Sequence, residues 1–179
     1  MRPEVKLDMH DLLAADSRAP EIADADDIYG WLIGSWELDV CRYWATDVSA
    51  QGIKAEAHFG RVLEGRAVQD VWIMPRLRDR SGTIDRKMNM YGTTLRVWDP
   101  AINAWRISWT NPAGDHHERQ IGRKSGSDIV QVGAKADGTP TRWRFVEITA
   151  DSFHWLGESL GADGATWVVE GEFRARRMQ

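Results

Sequence analysis

The sequence predicts an all-β fold: an antiparallel up-and-down meander closed into a barrel of about ten strands, with a short N-terminal helix. Three observations carry this. Strand-length runs with two-residue alternation recur from Trp36 to the end of the chain, short turn-forming clusters separate them at hairpin spacing, and a helix signal appears only before the first run. A flat sheet of that many strands would leave two unpaired edges, which closure removes. With strands about 4.8 Å apart and tilted about 40°, ten strands enclose a barrel roughly 20 Å across, leaving space for a cavity of a few hundred Å³.

Residues 1–24 carry little pattern. Leu12 and Leu13 sit among Asp, Ala and Pro, and Pro20 interrupts helical continuity, so this segment is expected to be a weakly ordered arm preceding a single barrel domain over residues 25–179. Asp24 or Asp26 is placed to cap a short helix through Asp27, Ile28, Tyr29, Trp31 and Leu32, with Gly34 ending it, and this helix is expected to plug the base of the barrel. In the first strand, residues 35–44, Trp36, Leu38 and Val40 alternate with Glu37 and Asp39. The second, residues 52–63, alternates Ile53, Ala55, Ala57 and Phe59 with Lys54, Glu56 and His58, and turns at Glu64-Gly65. The third, residues 66–74, is apolar on both faces, so Gln69 and Asp70 need an explanation, and Pro75 ends it. Residues 76–87 form the longest polar connection, of the length of a lid, a binding loop or a plain hairpin tip.

Residues 88–98 and 104–111 form the clearest hairpin, with Pro100 and Asn103 shaping its turn. Strands follow near residues 117–123, 128–133, 141–148, 152–160 and 166–177, the last two separated by Gly161-Ala162-Asp163-Gly164-Ala165.

The 179 residues supply enough chain for one sizeable core. A net charge of -4 with scattered basic residues gives no footprint for nucleic acid or an anionic membrane, and no apolar run reaches the roughly 18 residues of a spanning helix. A single cysteine, Cys41, and an N-terminus lacking an apolar signal core point to a cytoplasmic protein. Ten Trp against three Tyr and four Phe imply either a wide core to fill or a pocket whose walls stack on a ligand.

Polar residues inside apolar strands mark the candidate site. Asp70, Tyr91, Arg96, Asn111, Arg144 and Glu158 would orient a ligand if they face inward, while Trp72, Trp105, Trp109, Trp143 and Trp155 supply stacking area. An inward Asp70 or Glu158 requires an arginine such as Arg96 or Arg144, or a ligand donor. His58 shares a strand face with Glu56 beside the strand of Asp70, so an imidazole and a carboxylate could meet for acid and base chemistry, with His154 and Glu158 as further candidates. His116-His117-Glu118 offers potential metal ligands, but His116 and His117 are adjacent in a strand and point to opposite faces, which argues against a metal site, and no Ser-His-Asp, Cys-His or phosphate-loop pattern is present. The expected function is binding of a small hydrophobic or aromatic ligand in the lumen. The alternatives are an isomerase, cyclase or hydratase acting on such a ligand, and an interaction module whose surface Trp form a homodimer contact.

Gly34-Ser35-Trp36 at the first strand, with Arg174, Arg176 and Arg177 at the end of the last, resembles the calycin superfamily, whose lipocalins carry a Gly-x-Trp start and an arginine packed on that tryptophan. The resemblance implies that Arg174 or Arg176 stacks on Trp36. Over residues 26–177, with Phe153-His154-Trp155 and Asp163-Gly164-Ala165-Thr166-Trp167 near the end, the chain is similar to bacterial lipocalin-like proteins of nitrobindin-like architecture. Those proteins hold haem through a histidine, which brings His154 forward, although no haem motif matches and the residues themselves call for no cofactor.

Overall fold

The computed structural model describes residues 7–179. Ten antiparallel strands form the wall: β1 Gly34–Tyr43, β2 Lys54–Val62, β3 Ala67–Met74, β4 Met90–Asp99, β5 Ala104–Asn111, β6 His116–Ser125, β7 Asp128–Ala134, β8 Pro140–Val146, β9 Ser152–Leu160 and β10 Trp167–Arg177. Each strand pairs with its sequence neighbours, and β1 pairs with both β10 and β2, so the ladder closes on itself. The alternation in the sequence becomes a wall with an apolar inner row; in β1, Trp36, Leu38 and Val40 are buried while Glu37 and Asp39 lie outside.

The closure carries a cation stacked on an indole. Arg177 stands opposite Trp36 in the ladder, its guanidinium 4.1 Å from the ring centroid, and donates to the carbonyls of Trp31 (2.7 Å) and Ile33 (2.9 Å). This corrects the expectation of Arg174 or Arg176. Arg174 stands opposite Asp39 on the outer face, and only a residue at the far end of β10 reaches past the edge of the barrel to cover Trp36.

One end of the barrel is plugged by residues 24–32, but not by a continuous helix. Two 3₁₀ turns, Asp24–Asp26 and Gly30–Leu32, replace it, and neither has a side-chain cap. In a 3₁₀ turn residues three apart eclipse, which sends Tyr29 and Leu32 into the core together. Asp27 turns away to pair with Arg61 at 2.6 Å, and its carboxylate fills the space a Cβ on Gly30 would need, 2.2 Å from that position. Tyr29 meets Trp105 edge-on at 5.3 Å, and Trp31 meets Trp36, Phe145 and Phe153, so this end is packed with rings. Trp105 also donates its indole N–H to the Asp26 carbonyl, holding the plug in place.

Of the segment read as an arm, residues 1–6 lie outside the described residues. An α-helix, α1 Met9–Leu13, follows, and Asp8 and Asp11 form its capping box. Ala14–Ala15 then pairs along Arg61 and Val62, and Ala19 and Ile22 are buried. The chain crosses Gly65 so closely that a Cβ there would lie 2.0 Å from the Ser17 carbonyl oxygen.

Replacing Arg177 by Met removes the charged stack and two donors to half-buried carbonyls. The expected loss is about 2 kcal/mol, or roughly 4–8 °C in Tm for a domain of this size, whereas Arg174→Ala on the outer face should cost under about 0.5 kcal/mol. Thermal unfolding of the two variants measures the difference.

Candidate functional site: the open end of the barrel

Above the packed rings lies a layer of hydrogen-bonded polar side chains. Asp70 stands opposite Phe59 and Thr94 on the inner face; its Oδ2 accepts from Arg96 Nη1 at 2.5 Å and its Oδ1 from the Thr94 amide at 2.7 Å. Both charged side chains are almost wholly buried, 0% and 2% exposed, and the guanidinium is flanked by the rings of Tyr29, Phe59 and Phe145 at 5.1, 5.6 and 5.9 Å. Arg96 Nε reaches Gln131 Oε1 at 3.4 Å, which also accepts from the Tyr29 hydroxyl at 3.0 Å. Burial pushes the Tyr29 phenol well above its ordinary pKa, against the smaller opposing effect of Arg96, so it remains a donor. Gln131 donates to Gln120, and Gln120 donates to Glu118 Oε1 at 2.7 Å, where Thr141 Oγ1 donates as well. The polar layer therefore runs without a break from Asp70 to Glu118.

On the far side of this layer is a cavity of about 420 Å³ that opens at the end opposite the plug. Its walls are the indoles of Trp72, Trp109, Trp143 and Trp155 with Phe173, and the Tyr43-Trp44 corner stands at its mouth. Trp155 fits because Gly157 and Gly171 are paired beneath it: a Cβ on either would lie 2.6 Å or 3.1 Å from the indole. Trp44 and Ala45 both hold left-handed φ, 48° and 61°, the backbone of a tight hairpin turn that normally takes Asn or Gly. Such a conformation costs a non-glycine residue roughly 1–2 kcal/mol, and here it places Trp44 over the His116 ring at 5.7 Å, with its N–H donating to the Lys87 carbonyl. The long polar connection thus docks at the cavity mouth through Lys87.

Three acidic residues line the cavity, Asp115, Glu118 and Glu170, and the Glu118 side chain is 3% exposed. Burial pushes its pKa up, but the hydrogen bonds from His116, Thr141 and Gln120 outweigh that effect and hold it below the ordinary glutamate value. His116 Nδ1 accepts from Trp109 Nε1 at 3.3 Å, and its Nε2 lies 3.5 Å from Glu118 Oε2.

The sequence candidates divide by strand face. Trp72, Arg96, Trp109, Trp143 and Trp155 line the cavity, and Asp70 lies behind Arg96. Trp105 belongs to the plugged end. Asn111 is buried but spends its amide on the Tyr91 N–H and the Asn89 carbonyl, tying strand ends together. Tyr91 is 45% exposed on the outer face under Arg80, which corrects its placement in the lumen.

Arg144 is corrected in the same way. With Arg142 it clamps Glu158 on the outer face, where Arg142 also stacks on Trp167 at 4.3 Å. Desolvation raises the Glu158 pKa, but the two arginines pull it below normal overall. His154 lies on the outside between Glu172, at 2.9 Å, and Glu147, so it cannot reach a group held in the lumen. His58 hydrogen-bonds Ser35 and lies 3.8 Å from Glu56 on the outer face, as their shared strand face implies, while Asp70, opposite Phe59, faces inward, so His58 and Asp70 are separated by the wall. The inner pair is His116 and Glu118, whose i, i+2 spacing in a strand puts both on one face; the sequence offers them only as part of a His116-His117-Glu118 metal group and not as ligand-binding residues. Trp44, which the sequence places at the end of a straight strand, instead turns the chain, and its turn lacks any Asn or Gly signal.

Among the described residues no cluster of three or more His, Cys, Asp or Glu side chains could hold a metal, and no helix is long and apolar enough to cross a membrane. Nine of the ten Trp are buried or half-buried, and Trp44 alone is exposed. The closed antiparallel barrel of ten strands, plugged at one end, is consistent with a calycin-like fold. Comparison with protein-family models finds no match, and comparison with curated proteins finds none either.

Removing one member of the buried pair leaves the other as an unpaired charge. Asp70→Asn should cost about 3–5 kcal/mol in urea unfolding, and the double change Asp70→Leu with Arg96→Met should recover much of that loss. Glu118 gives a pH signature. Because its folded pKa is depressed, its ionised form contributes stability that is full above the ordinary value of 4.5 and is lost as the pH falls through the lower folded value. The stability gap between wild type and Glu118→Gln should therefore be larger at pH 7 than at pH 3, which urea titrations at the two pH values would show.

Proposed function

We propose that this protein binds a small hydrophobic or aromatic molecule in the lumen of its barrel. The observation that carries the reading is the cavity of about 420 Å³, open at one end and walled by four indoles, with a hydrogen-bonded polar floor. That volume falls within the range of small-molecule sites, and a mostly apolar wall with a few fixed polar groups is what such sites need. Four indoles could have met at the centre and filled it, as the rings do at the plugged end. Instead the Cζ3–Cη2 edge of the Trp155 indole sits against two glycines, which draws it back against the wall and leaves space beside it. We also infer a nitrobindin-like member of the calycin architecture, supported by the Gly34-Ser35-Trp36 start and the Arg177 stack on Trp36. His154, on the outer face, gives that reading no haem ligand.

The neutral fluorescent amine N-phenyl-1-naphthylamine tests the lumen. It should bind once per chain, brighten on binding and quench tryptophan emission. Gly157→Val, whose Cβ would lie 2.6 Å from Trp155 and push that indole into the cavity, should weaken binding about tenfold or more while leaving the circular dichroism spectrum unchanged. Saturable binding that is insensitive to Gly157→Val, or no binding at all, would refute the lumen as the site.

A further inference from the structure

We propose that the guest is an organic cation, a quaternary or protonated amine carried on an apolar body, with Glu118 as its counter-charge. This rests on the lumen reading above and names the chemistry which that reading leaves open.

The first support is how the charges at the cavity are matched. Arg96 is paired with Asp70 at 2.5 Å, Lys135 with Glu170 at 2.6 Å and Asp115 with Arg86 at 3.0 Å. Glu118 has no lysine or arginine partner among the described residues. Its Oε1 takes the Thr141 hydroxyl and the Gln120 amide, both neutral. The nearest basic group is the imidazole of His116, whose Nδ1 accepts from Trp109 Nε1. Its Nε2 lies 3.5 Å from Glu118 Oε2, the long limit of a hydrogen bond, which leaves room for a ligand at that oxygen.

The second support is the shape of the walls. Trp109 and Trp143 meet at 80°, Trp143 and Trp155 at 61°, and Trp155 and Trp72 at 55°, with centroids 5.5–6.3 Å apart. Such steep angles make a box, not a parallel slot. A flat neutral ring gains most from a slot, whereas a compact ammonium gains from ring faces arrayed around it, since each face is the negative side of the indole quadrupole. An anion would meet those faces and the Glu118 carboxylate. The buried cation Arg96 does not reverse this preference, because Asp70 neutralises it and three rings flank its guanidinium.

Benzyltrimethylammonium and neopentylbenzene differ only in a charged nitrogen replaced by carbon, and 4-tert-butylbenzoate supplies a similar body with a negative charge. Each is titrated against the full wild-type chain by tryptophan fluorescence and calorimetry, beside N-phenyl-1-naphthylamine. The cation should bind about 30-fold more tightly than its carbon isostere, on the order of 2 kcal/mol, and the benzoate more weakly than either. Glu118→Gln should bring cation and isostere within about threefold of each other, and Trp143→Leu should weaken the cation about tenfold more than the isostere. If the neutral isostere or the benzoate binds as tightly as the cation, or the naphthylamine binds while the cation does not, the cation assignment falls and the lumen reading stands. If none of the four binds, both fall. The comparison of ligands on the wild-type chain decides the matter even if a variant does not fold.

Discussion

A closed antiparallel ladder settles which way every side chain points. Successive residues of a strand face opposite sides, and once β1 is hydrogen-bonded to both β2 and β10 the ring has no free edge along which a register could slip. Shifting one strand by one residue would turn its whole apolar row outward, so the burial of Trp36, Leu38 and Val40 on β1 and of Ala55, Ala57 and Phe59 on β2 holds the rest of the wall in phase. Arg177 reinforces the seam by covering Trp36 and satisfying carbonyls of the plug. The lumen, its polar layer and its open mouth all follow from that fixed parity.

Inside the ring the side chains are stacked in three levels. Rings fill the plugged end, hydrogen-bonded polar groups cross the middle, and the cavity occupies the open end. A buried ion pair such as Asp70 and Arg96 is poor value as a source of stability, because desolvation of two charges offsets most of their attraction. Its consequence here is geometric. Polar side chains that need one another cannot collapse onto the indoles above them, so the packed core stops at the polar layer and the volume beyond it stays open. Glu118 ends that network at the cavity wall, where His116 Nε2 stands 3.5 Å from its outer oxygen.

Much of the fold was legible in the sequence because alternation and turn residues are local signals. The ten strands, their order and the position of the plug follow from them. The form of the plug does not: the Asp-rich run suggested a capped helix, whereas the demand to bury Tyr29 and Leu32 together, with Asp27 drawn to Arg61, favours 3₁₀ turns. The candidate site was half legible. The indoles of Trp72, Trp109, Trp143 and Trp155 follow the expected inward face, and Arg96 with Asp70 is the pairing that an inward carboxylate demanded. In β9, however, Phe153 and Trp155 face inward, so the alternate residues His154 and Glu158 go outside, and composition alone could not choose between the two faces.

The sequence by itself determined that this chain is a ring of strands, because a period of two repeated through ten runs admits few other structures, and that large rings would gather within it. Only the tertiary structure decided which polar groups share the lumen. Side chains brought together by closure come from β3, β4, β6, β7 and β8, far apart in the chain, and whether each lies inside depends on the phase of its strand relative to all the others. That His116 and Glu118, neighbours on one face of β6, share the cavity with Trp143 and Trp155, and that Gly171 of β10 joins Gly157 beneath Trp155, are therefore properties of the closed barrel and not of any one segment.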